Sequence, residues 1–326
     1  MSILLIGSAV DDGSTSISRE YRDALQPDHY LEISEPLKSL SVVGVIRLGL
    51  KLRKLSEQAD HVVSILHSPV MLAGWFVSKR RLKSFTCMTD WTPAFPSGKN
   101  DIKTRFKMVV YRWVLKRYHR ILIPVENIRK YFTHRLQLRN EAILLPPPYG
   151  KPPFAALHED GLPVKILFMG GDLKRKGGEV LLGMWEKDPP RDAELTMVTS
   201  RIPGTTPPRV HHISDLKART ERHHQVLESH QIFVLPSYRE AYGFAALEAL
   251  NHGQVVAVTR NAGISSLIAK AGGIVEDTPE RVIQACFDLA SDPRKIRDKQ
   301  LEARAFAEGY RTDFKKQLQV MVTSRY

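Results

Sequence analysis

The chain has 326 residues, of which 48 are Lys or Arg and 35 are Asp or Glu, so its formal charge is +13. This length suits about two domains, and a composition with 43% hydrophobic and 25% charged residues excludes a disordered or fibrous protein. Two cysteines are too few for a disulfide framework and favour a reducing compartment. The longest apolar run, near residues 70–77, is shorter than the ~18 residues of a bilayer span, and no basic segment precedes the apolar start. We therefore expect a cytoplasmic protein, soluble or held peripherally at the inner face of the membrane.

The positive charge is concentrated in residues 43–120, which contain 16 basic and 4 acidic residues. Such a surface attracts anionic lipid, nucleic acid or an acidic substrate. These residues show neither a nucleic-acid motif nor aromatic stacking platforms among the basic side chains, so we expect no nucleic-acid partner. An anionic membrane surface and an anionic acceptor, such as a growing acidic glycan, both stay open as the contact.

Within this region, Thr104–Arg120 has apolar residues at helical spacing, from Phe106 through Val109 and Trp113 to Val114. The commoner use of such a stripe is to pack on the protein's own sheet, and we expect that here. Contact of the basic face of the same helix with a membrane surface is compatible with this packing.

The first half alternates short apolar runs with a helical pattern at Arg19–Leu25, which indicates a parallel sheet covered by helices. Its predicted strands are Ile3–Ile6, Val62–Leu66, Phe85–Met88 and Ile121–Pro124.

A proline cluster at Leu145–Pro153 fits neither a helix nor a central strand and predicts a linker. We therefore expect domains at 1–150 and 151–326, both Rossmann-like and doubly wound, facing across a cleft. A helical tail from about Pro279 is expected to return to the N-terminal domain. The predicted strands of the second half are Val164–Met169, Glu194–Thr199, Ile232–Leu235 and Val255–Thr259, with helices at Glu179–Trp185 and Phe244–Leu250.

The stretch Ile232–Gly253 (IFVLPSYREAYGFAALEALNHG) is the most informative. A buried strand ends at Pro236, and a polar loop leads to a helix that Gly243 opens. The backbone N–H groups of Gly243, Phe244 and Ala245 would then form an anion site at the helix N-terminus, suited to a phosphate. Gly243 lacks a side chain, so a ligand can approach the backbone closely.

Two carboxylates flank this turn. Glu240 alone is compatible with a solvated loop acid, and Glu248 alone with an exposed helix residue. Glu248, however, lies between Leu247 and Ala249 in an apolar helix, where a carboxylate needs a partner. Vicinal hydroxyl groups of a ligand would serve as that partner.

The pattern Pro236-Ser237-x-x-Glu240-x-x-Gly243-Phe244-x-x-x-Glu248-Ala249 resembles the signature of retaining family-four glycosyltransferases, which have the GT-B fold. The resemblance implies that Glu240 contacts the transferred sugar and that the amides at Gly243-Phe244 hold the sugar and the diphosphate. It implies that Glu248 binds the nucleotide ribose.

A second segment, Gly170-Gly-Asp-Leu-Lys-Arg175-Lys176-Gly177, follows a predicted strand. Its charges alone are typical of a solvated turn. The resemblance implies instead that Lys176 binds the diphosphate as a point charge. The family often has Arg where Gly171 stands, and whether Arg175 replaces it is open.

The first half is similar to the family more loosely. Gly7 is expected in a glycine loop that follows the first strand and faces the diphosphate and the acceptor. Many members carry a His close to the reacting sugar, and Asp90 is the nearest counterpart here. Asp90 is equally compatible with a turn-capping role.

The resemblance implies a transferase that moves a sugar from a UDP- or GDP-linked donor to a saccharide or lipid-linked acceptor, with retention and without a metal. It implies an acceptor-binding N-terminal domain and a nucleotide-sugar-binding C-terminal domain. No metal-ligand motif is visible in the sequence. The alternative is a non-catalytic relative that binds a nucleotide sugar or a glycan, as the glycine at 171 and the missing His would allow.

Overall fold

The structure is a computed structural model that describes residues 2–9, 12–35, 39–65, 67–86, 109–110, 112–123, 141–146, 154–159, 161–218, 220–240 and 242–323. The chain divides into two compact units. Unit 1 comprises Met1–Pro147 and Thr312–Tyr326, and unit 2 comprises Pro148–Arg311.

Unit 1 contains a parallel sheet in the order β2-β1-β3-β4-β5-β6. The central strands β1 and β3 are buried along their whole length, because helices cover both faces of a parallel sheet. The strands are β1 (Ile3–Ser8), β2 (His29–Ile33), β3 (His61–Ile65), β4 (Leu82–Thr86), β5 (Arg120–Ile123) and β6 (Glu141–Leu144).

The helices of unit 1 are α1 (Asp12–Leu25), α2 (Val42–Glu57) and α3 (His67–Phe76), with a 3₁₀ turn at Lys79–Arg81 and further helical residues at 109–110 and 112–115. The connections through α2, α3 and residues 109–115 all step across the sheet in one direction. Because parallel crossovers are right-handed, these helices share one face of the sheet and α1 covers the other.

Gly7 does not follow the first strand as expected, because β1 continues through Ser8. A side chain at Gly7 would place its Cβ 2.6 Å from the Tyr30 hydroxyl and 2.9 Å from the Ser18 hydroxyl. The Ser18 hydroxyl also accepts a hydrogen bond from the Ser8 backbone N–H at 2.8 Å. Gly7 thus lets α1 pack closely on the end of β1.

The expected apolar stripe of Thr104–Arg120 packs only in part as predicted, and its first residue, Phe106, lies outside the described residues. Val109 and Trp113 are exposed, whereas the buried residues are Val114, Leu115 and Tyr118. The inward face is therefore displaced along the helix by one residue from the predicted stripe, and apolar and basic side chains share the exposed face.

Unit 2 contains a second parallel sheet, in the order β12-β11-β10-β7-β8-β9. Counted from β7 as the first strand, this is the order 3-2-1-4-5-6 of the dinucleotide-binding folds. The strands are β7 (Val164–Met169), β8 (Ala193–Val198), β9 (Val210–Ile213), β10 (Ile232–Leu235), β11 (Val255–Thr259) and β12 (Ile274–Glu276).

The long last helix α10 runs from unit 2 into the C-terminal part of unit 1. In unit 1 its Phe314 ring packs edge-on against Tyr21 of α1, and Gln319 donates to the Ala24 carbonyl at 3.1 Å. None of the helices in the described ranges is long and apolar enough to cross a membrane. The remaining helices are α4 (Leu173–Lys176), α5 (Gly178–Lys187), α6 (Glu221–Glu228), α7 (Phe244–Asn251), α8 (Ser265–Lys270), α9 (Pro279–Ala290) and α10 (Pro293–Thr323).

Candidate functional site

The strands β7 and β10 lie side by side in the sheet of unit 2, and the chain leaves them in opposite directions, toward β8 and β11. Ligands of open α/β sheets bind at the carboxyl ends of such a pair, where the strand order reverses. The loops that follow β7 and β10 are the two segments that the sequence singled out.

The turn after β7 is locked against the loop after β10. Asp172 caps the one-turn helix α4 by accepting from the Arg175 N–H at 3.1 Å, and Gly177 ends it in the left-handed region at φ 76°. A Cβ at Gly177 would collide with the carbonyl oxygen of Pro236, so this position requires glycine. The Tyr238 N–H donates to the Arg175 carbonyl at 3.0 Å, which joins the two loops.

Lys176 and Glu240 form a direct ion pair across this junction, between Nζ and Oε2. Their side chains are 17% and 10% exposed. Removing both charges from water is costly, and the pairing offsets that cost only while both partners are present. Such a pair is weak evidence for a stabilising role. A polar ligand could bind here by replacing one of the two charged partners.

The backbone around Glu240 is fixed by the loop after β11. The Glu240 carbonyl accepts from the Gly263 N–H at 3.1 Å, and the Tyr242 carbonyl accepts from the Ile264 N–H at 3.2 Å. Gly243 then turns the chain into α7 with φ 102°, a conformation that favours glycine. The N-terminus of α7, which is the positive end of the helix dipole, therefore follows Glu240 by three residues in the sequence.

Glu248 lies one turn further along α7 and is mostly buried. Its Oε2 is 3.9 Å from Nε2 of His223, which α6 brings to it. The sequence predicts ligand hydroxyls as the partner of Glu248 and does not indicate His223. The visible signal was Thr220, which caps α6 by accepting from the His223 N–H at 3.2 Å and so fixes where the helix starts.

A histidine pair lies beside the His223–Glu248 contact. The rings of His224 and His252 are stacked, and His252 Nδ1 is 2.8 Å from the Glu248 carbonyl oxygen. Burial lowers the pKa of His252 to about 4, so this ring is neutral at physiological pH.

Arg175 is engaged within unit 2. Its Nε lies 3.2 Å from Asp172 Oδ2, and its Nη1 donates to the Arg239 carbonyl at 3.1 Å. The Arg175 N–H is the main cause that lowers the pKa of the Asp172 carboxyl below its usual range. These residues border an open depression of about 490 Å³, lined by Asp172, Lys174, Arg175, Glu179, Val180 and Tyr238.

Gly170 and Gly171 differ in what surrounds them. A Cβ at Gly170 would lie 3.0 Å from the Lys176 side chain, so glycine gives the lysine room over the end of β7. A Cβ at Gly171 would meet nothing within 4 Å. The space next to the backbone at position 171 is thus open.

The structure brings Lys176, Arg175, Glu240 and the start of α7 together at one sheet edge. Gly7 lies in β1 of unit 1, and Asp90 lies outside the described residues. In the part of the chain that the structure describes, no group of three or more His, Cys, Asp or Glu side chains is placed to hold a metal ion.

Comparisons with known proteins agree with this architecture. HepE from Anabaena, in a structure with UDP, aligns with a TM-score of 0.71 over 97% of this chain and 98% of its own, at 12% identity. The fold is GT-B. Sucrose-phosphate synthase from Thermosynechococcus elongatus (TM-score 0.64, 15% identity, 97% of each chain) shares this fold. So does WaaG, a glycosyltransferase involved in lipopolysaccharide biosynthesis (TM-score 0.61, 15% identity, 100% of each chain).

Within this GT-B chain, residues 163–292 match the model of the family described as Glycosyl transferases group 1. The matched segment contains β7, the Lys176–Glu240 pair, Gly243 and Glu248. The chain has no significant match among curated proteins.

Proposed function

We propose that the protein is a glycosyltransferase that moves a sugar from a nucleotide-diphosphate donor to an acceptor hydroxyl, with retention of anomeric configuration and without a metal. The observation that carries this proposal is the largely buried Lys176–Glu240 pair. It lies at the β7/β10 reversal of a dinucleotide-type sheet, within the segment that matches the family model.

Lys176 is proposed to bind the donor diphosphate. Its ammonium group is the cation paired with Glu240 at the sheet edge, beside the N-terminus of α7. As the bond between the anomeric carbon and the diphosphate oxygen breaks, negative charge grows on the leaving diphosphate. A lysine and the amides of Gly243, Phe244 and Ala245 stabilise such charge without needing to reorganise.

Glu240 is proposed to orient the donor sugar, and Glu248 to bind the ribose hydroxyls. Glu240 lies in the loop before α7 and Glu248 lies one turn into that helix, so the two carboxylates flank the helix N-terminus on either side in sequence. Gly170, which gives the Lys176 side chain room, belongs to the proposed donor site. In unit 1, Asp90 is proposed to contact the substrate, and Gly7 is proposed to contribute through its backbone, because its Cβ position faces Tyr30 and Ser18.

UDP-sugars are the first donors to test, because the Anabaena HepE structures hold UDP, UDP with glucose, and UDP-glucose. The proposed acceptor is a saccharide that is lipid-linked or part of a polysaccharide precursor, bound by unit 1. We place the enzyme in the cytoplasm, peripherally at the membrane.

A sugar-binding relative without activity is the second candidate. It is favoured by the open space at Gly171 and by Arg175, whose guanidinium is already engaged by Asp172 and the Arg239 carbonyl. In that case the donor would bind but its glycosidic bond would stay intact.

The test is a panel of UDP- and GDP-sugars, measured by thermal shift and by hydrolysis on the wild type and Glu248→Ala. One donor should stabilise the wild type by about 2.7 kcal/mol at a hundredfold excess over its Kd, and the mutant should lose this stabilisation. Glu186→Ala, an exposed carboxylate on α5, is the matched control and should bind normally. If no donor stabilises the protein, the proposal is refuted. If a donor binds but is not turned over when a mixture of acceptors is added, the second candidate is supported.

A further inference from the structure

The outer face of α2 is apolar although it is exposed. Val42, Ile46 and Leu50 follow one another at four-residue spacing and are 76%, 47% and 56% exposed, with Val43 beside them. Residues four apart lie on one face of a helix. The side of α2 that packs inward, through Gly49 and Leu52, adjoins this exposed stripe around the helix.

Two exposed tryptophans extend this apolar surface. Trp75 of α3 is 61% exposed and Trp113 of the helical residues 112–115 is 50% exposed. Their ring centroids are 5.9 Å apart at a steep angle, and the Arg117 guanidinium lies over the Trp113 ring. Val109 is exposed one turn before Trp113.

These helices pack side by side, so their exposed residues form one surface. A Cβ at Gly49 of α2 would collide with the Phe76 ring of α3, and a Cβ at Gly74 of α3 would lie 2.6 Å from Val114. The glycines thus allow α3 to lie closely between its two neighbours. We call the exposed side of these three helices the three-helix face.

The three-helix face is also basic. Glu57 is the one acidic residue in residues 42–57, 67–81 and 109–117, and Arg53 pairs with it at 3.8 Å. Two arginines have structural duties, since Arg81 donates to carbonyls at the end of α2 and Arg117 donates to the Val77 carbonyl. The exposed basic side chains beyond these are Arg47, Lys51, Arg53, Lys54, Lys79, Arg80, Arg112 and Lys116.

We infer that the three-helix face docks on an anionic lipid bilayer, with Val42, Ile46, Leu50 and the two tryptophans inserted at the level of the headgroups. Charge complementarity selects this occupant, because aliphatic residues and tryptophans with lysines and arginines around them suit an anionic interface. This inference deepens the proposed function by giving the enzyme a membrane surface on which a lipid-linked acceptor would be presented.

The experiment is flotation of the full-length protein with vesicles of phosphatidylcholine alone or with 30 mol% phosphatidylglycerol. The wild type should float with the anionic vesicles and not with the neutral ones, and raised salt should weaken binding. Ile46→Asp with Leu50→Asp should reduce binding by about tenfold or more, since it places two charges in the apolar contact. Leu301→Asp, an equally exposed leucine on α10, is the matched control and should float like the wild type.

Tryptophan fluorescence gives a second readout. Emission from Trp75 and Trp113 should shift to shorter wavelength on anionic vesicles and be quenched by brominated lipid, and Trp75→Phe with Trp113→Phe should abolish both changes. Failure of the wild type to bind anionic vesicles at low salt would overturn the inference. Equal vesicle binding by the wild type and the Ile46→Asp/Leu50→Asp variant would also overturn it. So would a wild type that binds no vesicles and is a dimer by light scattering, if the variant is a monomer.

Donor binding separates this inference from the proposed function. The Ile46→Asp/Leu50→Asp variant should keep the thermal shift with the nucleotide sugar, because both substitutions lie in unit 1. Loss of vesicle binding with donor binding intact supports the docking surface, whereas donor binding that is absent in the wild type too would refute the proposed function alone.

Discussion

Each unit contains a six-stranded parallel sheet, yet the two units differ in where their charged side chains lie. In unit 2, Lys176 and Glu240 meet at the β7/β10 edge and are largely withdrawn from water. In unit 1, exposed basic residues lie on the outer side of helices. Gly7, the counterpart of the glycine loop of unit 2, has the side chains of Tyr30 and Ser18 next to its Cα. The comparison teaches that similar sheets can place charge differently: unit 2 pairs its charges at the end of two central strands, where we propose that the donor binds, and unit 1 spreads its charges over the exposed helices that we propose as a docking surface.

The largest expected effect is on turnover. Glu240→Gln should lower kcat by about a hundredfold or more. The amide has a similar shape but lacks the negative charge with which the carboxylate would hold the donor sugar in the transition state. Arg239→Gln, the exposed neighbour, should change kcat little. Steady-state kinetics of both variants measure this, and equal activity of Glu240→Gln and the wild type would contradict the role of Glu240.

The second effect is on stability. Lys176→Ala leaves the Glu240 carboxylate buried without its cation and should cost about 3 kcal/mol of unfolding free energy. Lys176→Met with Glu240→Leu should recover most of this loss but remain inactive. Urea unfolding and a transfer assay on the same samples separate the two properties. A double variant that is stable and active would show that the pair has no role in function.

The third effect concerns the glycine that joins the two loops of unit 2. Gly177→Ala forces a side chain against the Pro236 carbonyl and into φ 76°, so we expect a loss of about 3 kcal/mol. Gly183→Ala, where a Cβ meets nothing within 4 Å inside α5, should instead stabilise by about 0.5–1 kcal/mol. Thermal unfolding of both variants checks the contrast, and equal effects would mean that the loop junction is not tight.

The fourth effect depends on pH. Burial lowers the pKa of His230 from 6.5 to about 4, so the unfolded chain takes up a proton first as the pH falls. The stability that neutral His230 allows is therefore complete above about pH 6.5 and lost between 6.5 and 4, by about 2 kcal/mol from pH 7 to pH 5. His230→Gln should flatten this part of the profile of unfolding free energy against pH, and exposed His211→Gln should not. An unchanged slope in His230→Gln would show that His230 is not the titrating group.

The smallest effect is expected in unit 1. Ile46→Asp with Leu50→Asp should change the unfolding free energy by less than about 0.5 kcal/mol, because both side chains are exposed. Circular dichroism during urea unfolding measures it. A loss of several kcal/mol would mean that the three-helix face is part of a core.

The central strands could be predicted from the sequence, and the edge strands could not. Each sheet ends in strands that the sequence analysis missed: β2 and β6 in unit 1, β9 and β12 in unit 2. Edge strands are half exposed and carry polar residues, as His211 and His212 do in β9, so their apolar run is short. The central strands are buried on both faces and read as continuous apolar runs.

The candidate site was predictable where it depends on local spacing, and not where it depends on packing. The turn at Gly243 and the carboxylates Glu240 and Glu248 follow from one segment of sequence. The contact of His223 with Glu248 and the exposure of Trp113 arise from how helices pack, which periodicity does not specify. The stripe that contains Trp113 has a helical period whether it faces the sheet or the solvent.

Hydrogen exchange with and without the donor selected by the thermal-shift panel tests the central claim most directly. Saturating nucleotide sugar should slow exchange in peptides that cover residues 170–178 and 236–248, where Lys176, Glu240 and the start of α7 meet. It should leave the α2 peptide of residues 42–57 unchanged. Protection confined to unit 1, or no protection at saturating donor, would contradict a donor site at the β7/β10 edge.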